Sequence, residues 1–287
     1  MSLDLAFRRL RLAFAVVVMA VLAASAAPAL AAGTTLRAGD LMFSAFNADE
    51  DGWSLVALVD LAPGIELYFS DNAWDGKAFT SGEGFLRWTS GDSAIAAGTW
   101  LRFMNIDSAS RLAASNGRLE RLNIPGSTLP NLSQSAETLY AYQGSDALTP
   151  QRFVAAIGNG DFAAEVGGLG GTGLTAGRTA LALPSGSDWA EYAGPRAPRV
   201  AGGEAQSRLG SVGLWQSTVD GDLGARMPNA LPLDVTPIPE PWAPLTALLG
   251  LAVLACHRIA GSRSARKPGP YGSLLWGQRL GSVTKPF

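Results

Sequence analysis

Between Leu36 and about Gly194, short apolar or alternating runs of about 5–8 residues are separated by clusters of Gly, Pro, Asn and Asp, which is a strand-and-turn rhythm. The spacing predicts strands over Asp40–Phe46, Trp53–Asp60, Ile65–Ser70, Phe85–Thr89, Trp100–Ile106, Thr138–Tyr142, Phe153–Ile157, Ala180–Leu183 and Trp189–Tyr192. In Ile65-Glu66-Leu67-Tyr68-Phe69-Ser70 the residues Ile65, Leu67 and Phe69 share one face, the signature of a half-buried strand. Trp53–Asp60 is apolar on both faces, as a central strand is. Ala62-Pro63-Gly64 between these two reads as a tight hairpin connection, because Pro sets φ and Gly relaxes it. Only Ser108–Leu122 has a helical composition, interrupted by Gly117. Many short strands at this spacing predict an all-β domain, a β-sandwich over residues 33–194.

Beyond Leu183 periodicity fades. Residues 195–236 are rich in Gly, Pro and Ala and read as a last strand or two followed by a stalk. Gly167-Gly168-Leu169-Gly170-Gly171-Thr172-Gly173 has no Lys after it and no strand–loop–helix setting, so it reads as a flexible surface loop and not as a phosphate cradle.

Charge divides the chain in three. Residues 33–240 hold 13 Lys+Arg against 23 Asp+Glu, a difference of −10. Before them stand Arg8, Arg9 and Arg11 with a single Asp4, and after them six Lys or Arg and no acid. An acidic middle disfavours nucleic acid as a partner, since phosphate binding needs clustered cations. Cys256 and His257 are the single Cys and the single His of the 287 residues. The predicted domain therefore has no thiolate nucleophile, no His-based triad and no Cys/His zinc site.

The basic residues Arg8, Arg9 and Arg11, the uncharged stretch Ala13–Leu30 and the small-x-small Ala29-Leu30-Ala31 form the three parts of a secretory signal over residues 1–32, with signal peptidase as its partner. Pro237-Ile238-Pro239-Glu240-Pro241 excludes helix and precedes the uncharged Ala243–Cys256, so a membrane helix is expected at about 242–260. Arg258, Arg263, Arg266 and Lys267 follow, and the positive-inside rule leaves the acidic domain outside the cytoplasm.

Pro239-Glu240-Pro241, the apolar run and the cluster of Arg258, Arg263 and Arg266 resemble the PEP-CTERM sorting signal of Gram-negative bacteria, over residues 237–267. The resemblance implies recognition by exosortase, a transpeptidase-like membrane enzyme, and a surface or matrix setting associated with exopolysaccharide. The sequence departs from that pattern where Cys256 and His257 end the apolar run and where residues 268–287 extend past the basic cluster. The start of the domain resembles uncharacterised exported proteins described as distantly similar to the lamin-tail, immunoglobulin-like sandwich. The residues concerned are Gly39–Asp49, Val56–Asp60 and Tyr68–Trp74. That resemblance implies a fold and no activity.

Two acidic loops are candidate sites. Asn47-Ala48-Asp49-Glu50-Asp51-Gly52 places oxygen ligands at alternate residues before a Gly, like the first half of a Ca²⁺ loop. Leu58 stands where an EF-hand needs its bidentate Glu, so a Ca²⁺ site would need Asp71 or Asp75 beside Asn47, Asp49 and Asp51. The alternative is a plain turn, since Asn, Asp and Gly are turn residues. Trp74, in Asp71-Asn72-Ala73-Trp74-Asp75-Gly76, is a candidate sugar-stacking residue or else a core residue. No spacing selects a carboxylate pair for glycoside hydrolysis. The expected function is a non-catalytic, exported envelope protein, with a glycan- or Ca²⁺-binding module and an acid-dependent hydrolase as the alternatives.

Overall fold

A computed structural model describes residues 35–80, 82–163, 167–221, 223 and 232–238. The expected signal peptide (1–32), the PEP-CTERM-like tripeptide, the membrane helix at about 242–260, Arg258, Arg263, Arg266 and the tail at 268–287 lie outside the described residues. Among the described residues no helix is long and apolar enough to cross a membrane.

The domain is all-β, built from two six-stranded sheets. Sheet one contains β1 (Leu41–Asn47), β2 (Gly52–Ala57), β5 (Trp100–Met104), β6 (Ala113–Ala114), β11 (Trp189–Tyr192) and β13 (Trp215–Thr218), in the order β13-β11-β1-β2-β5-β6. Sheet two contains β3 (Glu66–Ser70), β4 (Phe85–Thr89), β7 (Arg118–Arg121), β8 (Thr138–Gly144), β9 (Pro150–Gly158) and β10 (Ala180–Ala182), in the order β10-β9-β8-β3-β4-β7. A short parallel pair, β12 (Val200–Ala201) and β14 (Val235–Thr236), lies apart from both.

Alternation along each strand explains the layers. From β2, Trp53, Leu55 and Ala57 enter the main core between the sheets, while Val56 belongs to a second apolar cluster. From β3, Leu67 and Phe69 join the main core, while Tyr68 belongs to a third. In β1, Phe43 and Phe46 both reach the main core although three residues apart, which strict alternation forbids. The register explains it: Phe43 faces Leu55 and Ala45 faces Ser54, so Ser44 is an extra residue, a β-bulge that resets the face.

Both outer faces are covered, and here the structure corrects the sequence expectations. The helix α1 (Gly202–Leu209) sets Ala205 and Leu209 with Met42, Val56, Leu58 and Trp100. The segment expected to hold a last strand or two and then a stalk supplies strands, the edge strand β13 and the β12–β14 pair, and, against that expectation, a helix. β9 and β10 are parallel, so the chain between them must cross back over the sheet. The Gly-rich segment lies in that crossover, and Leu169 and Leu174 pack against Tyr140, Tyr142 and Phe153. It is held in place: Tyr140 donates to the Gly168 carbonyl at 2.8 Å, and Gly168 N–H to the Trp74 carbonyl at 3.0 Å. Two further expectations fail. Ala62-Pro63-Gly64 does not close a hairpin, because β2 and β3 lie in different sheets and the connection crosses between them. Ser108–Leu122 is not a helix; it holds β6 and β7, with Leu119 buried from β7.

Candidate functional site

The five oxygen ligands proposed for Ca²⁺ are not brought to one point. Asn47 ends β1, and its Oδ1 accepts the Glu50 N–H at 3.1 Å, which makes the β1–β2 connection an Asx turn. Its Nδ2 donates to the Leu223 carbonyl at 3.1 Å, and Asp49 Oδ2 accepts the Leu223 N–H at 2.5 Å. Asp49 also stands beside Asp188, whose carboxyl is pushed up by burial first and by Asp49 second. Asp75 serves its own turn, with Oδ1 accepting the Lys77 and Ala78 N–H groups at 2.8 Å each. Those amides, Ala78 first, pull its carboxyl below the ordinary carboxylate range. Asp51 and Asp71 go elsewhere, together. Among the described residues no group of three or more His, Cys, Asp or Glu side chains is arranged to hold a metal ion.

Trp74 is 6 % exposed and presents no open face to a sugar ring. It packs edge-on against Phe79 and Phe153, at centroid distances of 5.2 and 4.9 Å, and its Nε1 donates to the Gly170 carbonyl at 2.8 Å. The cause is the aromatic outer face of sheet two, where Tyr68, Tyr140, Tyr142 and Phe153 need covering.

Asp51 and Asp71 meet at one end of the sandwich, with a third carboxylate that the sequence pattern does not single out, Glu137. Asp51 comes from the β1–β2 turn, Asp71 follows β3 and Glu137 precedes β8. Each accepts one of three consecutive backbone amides. Asn131 N–H donates to Asp71 Oδ2 at 3.4 Å, Leu132 N–H to Asp51 Oδ1 at 2.5 Å, and Ser133 N–H to Glu137 Oε2. Pro130–Ser133 therefore forms a strap tied to three elements. Asn159 reinforces it, accepting the Glu137 N–H at 2.8 Å and donating to the Ser133 carbonyl at 2.6 Å. Gly84 lies against Pro130 so closely that a Cβ there would stand 2.2 Å from the Pro130 Cα. Leu132, 4 % exposed, belongs to the main core.

All three carboxyl groups keep their protons to higher pH than free ones. Burial pushes Glu137 up to about 9, and the nearby charges of Asp71, Glu83 and Asp51 add to it against the opposing Ser133 amide. Burial, then Glu83, pushes Asp71 up to about 7. Asp51 rises to about 6, chiefly through burial, with the Leu132 amide opposing. The backbone amides of Asp71, Asn131 and Gly84 oppose the rise at Asp71 without cancelling it. A carboxyl protonated near neutrality is what a general acid needs. Yet Asp71 and Glu137 are 5 % and 7 % exposed, and all three carboxyl groups bind the protein's own backbone. None of them lines the cleft of about 540 Å³ beside Ala136 and Asp161 or that of about 340 Å³ beside Arg87 and Glu120.

A pH dependence of stability follows, with a definite sign. In the unfolded chain these groups lose their protons near 3.8 for Asp and 4.5 for Glu; in the folded protein they keep them to about 6, about 7 and about 9. Between those limits the folded state binds more protons, so its advantage is complete at acidic pH and declines as pH rises. The decline continues through about 7 for Asp71 and about 9 for Glu137, at no more than about 1.4 kcal/mol per pH unit for each proton involved. Denaturant midpoints are expected to fall between about pH 5 and pH 9; equal midpoints would contradict the assignment. No protein-family model, curated protein or solved structure matches the chain.

Proposed function

We propose that this chain is an exported, non-catalytic protein of the bacterial envelope or extracellular matrix, with an immunoglobulin-like or lamin-tail-like sandwich as its displayed body. The observation that carries the reading is the order Pro239-Glu240-Pro241, uncharged run, then Arg258, Arg263 and Arg266, set beside a domain with ten more acidic than basic residues over 33–240. That order gives one orientation, with the acidic body outside and the cations inside. Signal peptidase and an exosortase-like transpeptidase are the processing partners, and exopolysaccharide is the expected surrounding. The non-catalytic part of the reading is supported by the engagement of Asp51, Asp71 and Glu137 with the backbone amides of the strap.

The test is fractionation of a Gram-negative host that carries an exosortase, producing the full chain with an internal epitope tag. The native chain is expected at the cell surface or in the matrix, shortened at both ends. Changing Pro239, Glu240 and Pro241 to alanine is expected to leave it longer and in the inner membrane. An intact chain in the cytosol would overturn export; equal surface delivery of both forms would overturn sorting by the tripeptide.

A further inference from the structure

We propose that the Pro130–Ser133 strap is a pH-operated latch on one end of the sandwich, closed in acidic and neutral surroundings and released in alkaline ones. The geometry that carries it is the tie of three successive backbone amides to three carboxyl groups from three separate elements. A segment bound this way responds to the summed charge of the group, because negative charge on Asp71 or Asp51 makes the ionisation of Glu137 less favourable.

The surroundings supply little compensation. Facing the three are Glu83 from the β3–β4 connection, Asp107 and Arg111 from the β5–β6 connection, and Arg121 at the end of β7. Both cations act on Asp51. Arg121 donates its Nε–H to the Ile106 carbonyl at 2.6 Å, and Arg111 pairs with Asp107 at 3.7 Å. Glu83 adds negative charge to Asp71 and Glu137. Each strap amide holds a carboxylate more strongly than an acid, but burial outweighs the amide at all three groups, so when Asp71 and Glu137 both ionise the charge is relieved by admitting water.

The strap is the element that yields. It is held by three amides, the Ser133 carbonyl on Asn159, Pro130 against Gly84 and the Leu132 side chain, whereas the carboxylates are attached next to strands held by ladders. Moving it outward hydrates all three carboxylates at once and uncovers the end of the core that Leu132 closes. The inference is independent of where the protein is sorted.

Amide hydrogen exchange on the full-length chain, at about pH 6 and about pH 9 and corrected for the intrinsic rate, tests it. Protection across residues 130–134 is expected to fall by about tenfold or more at the higher pH, while β1 and β8 change by less than about twofold. Glu137→Gln keeps an acceptor for Ser133 and removes one charge, so the alkaline loss is expected to shrink to about threefold or less; Asp71→Asn is the second variant, with the same expectation. Unchanged protection of the strap at pH 9, a loss shared equally by the strands, or a full loss retained in both variants would overturn the latch.

Discussion

Replacing Trp53 with alanine is expected to lower the unfolding free energy by about 3–5 kcal/mol, at the top of the range for a core truncation. Trp53 is completely buried at the centre of the main core. It stacks on Phe103, its cross-strand neighbour, at a centroid distance of 5.3 Å and packs at 5.0 Å against Phe69 from the opposite sheet. Its removal would take the contact surface from both sheets at once, and the β1–β2–β5 ladders on either side limit how far the cavity can collapse. Trp53→Phe separates volume from polarity. The Trp53 Nε1 is buried without a hydrogen-bond partner, so phenylalanine removes an unsatisfied donor while keeping an aromatic ring. That variant is expected to lose less than about 1.5 kcal/mol. Denaturant midpoints at constant m-value check both; comparable losses would contradict the packing account.

Arg102→Leu is expected to rival that loss, at about 3–5 kcal/mol, through a different cause. Arg102 on β5 forms an ion pair with Glu50 of the β1–β2 turn, with side chains only 11 % and 5 % exposed. Burial pushes the Glu50 carboxyl up, and the Arg102 hydrogen bond and charge are what oppose it. Without the guanidinium, Glu50 is left as a buried acid whose charge nothing balances. The double change Glu50→Leu with Arg102→Leu is therefore expected to be clearly more stable than Arg102→Leu alone, which a double-mutant cycle measures. A double variant as unstable as the sum of the two single changes would show that the pair is not coupled.

The strands were legible because period-two alternation is written in side chains, and Phe85–Thr89 and Trp189–Tyr192 match their predicted bounds. What pairs with what was not. Ala62-Pro63-Gly64 has turn chemistry whether it closes a hairpin or carries the chain between sheets, and only the cross-strand register distinguishes the two. The covers over both outer faces were misread for related reasons. The Gly-rich crossover is fixed by backbone carbonyls that accept from Trp74 and Tyr140, a bond that leaves no periodic trace in the residues providing it. The helix Gly202–Leu209 spans about two turns and begins on two glycines, too little for a 3.6-residue pattern.

The acidic end was half visible. Asp51 and Asp71 stand out because acids crowd turns after apolar strands. Glu137 follows Ser133-Gln134-Ser135-Ala136, a stretch that reads as ordinary loop, and its role comes from folding back onto Ser133. The strap itself carries no charged side chain from Pro130 to Ser133, since it takes part through its amides.

Asp51, Asp71 and Glu137 form a clamp in the protein's architecture whose strength depends on their protonation. The most direct measurement is the pH dependence of unfolding for the variant carrying Asp51→Asn, Asp71→Asn and Glu137→Gln together. Amides match protonated carboxyl groups in shape and keep an acceptor for each strap amide. The triple variant is expected to fold, to be more stable than the native chain at about pH 9 and to lose less stability than the native chain from about pH 5 upward. A variant less stable than the native chain at about pH 9, with the native slope retained, would contradict it.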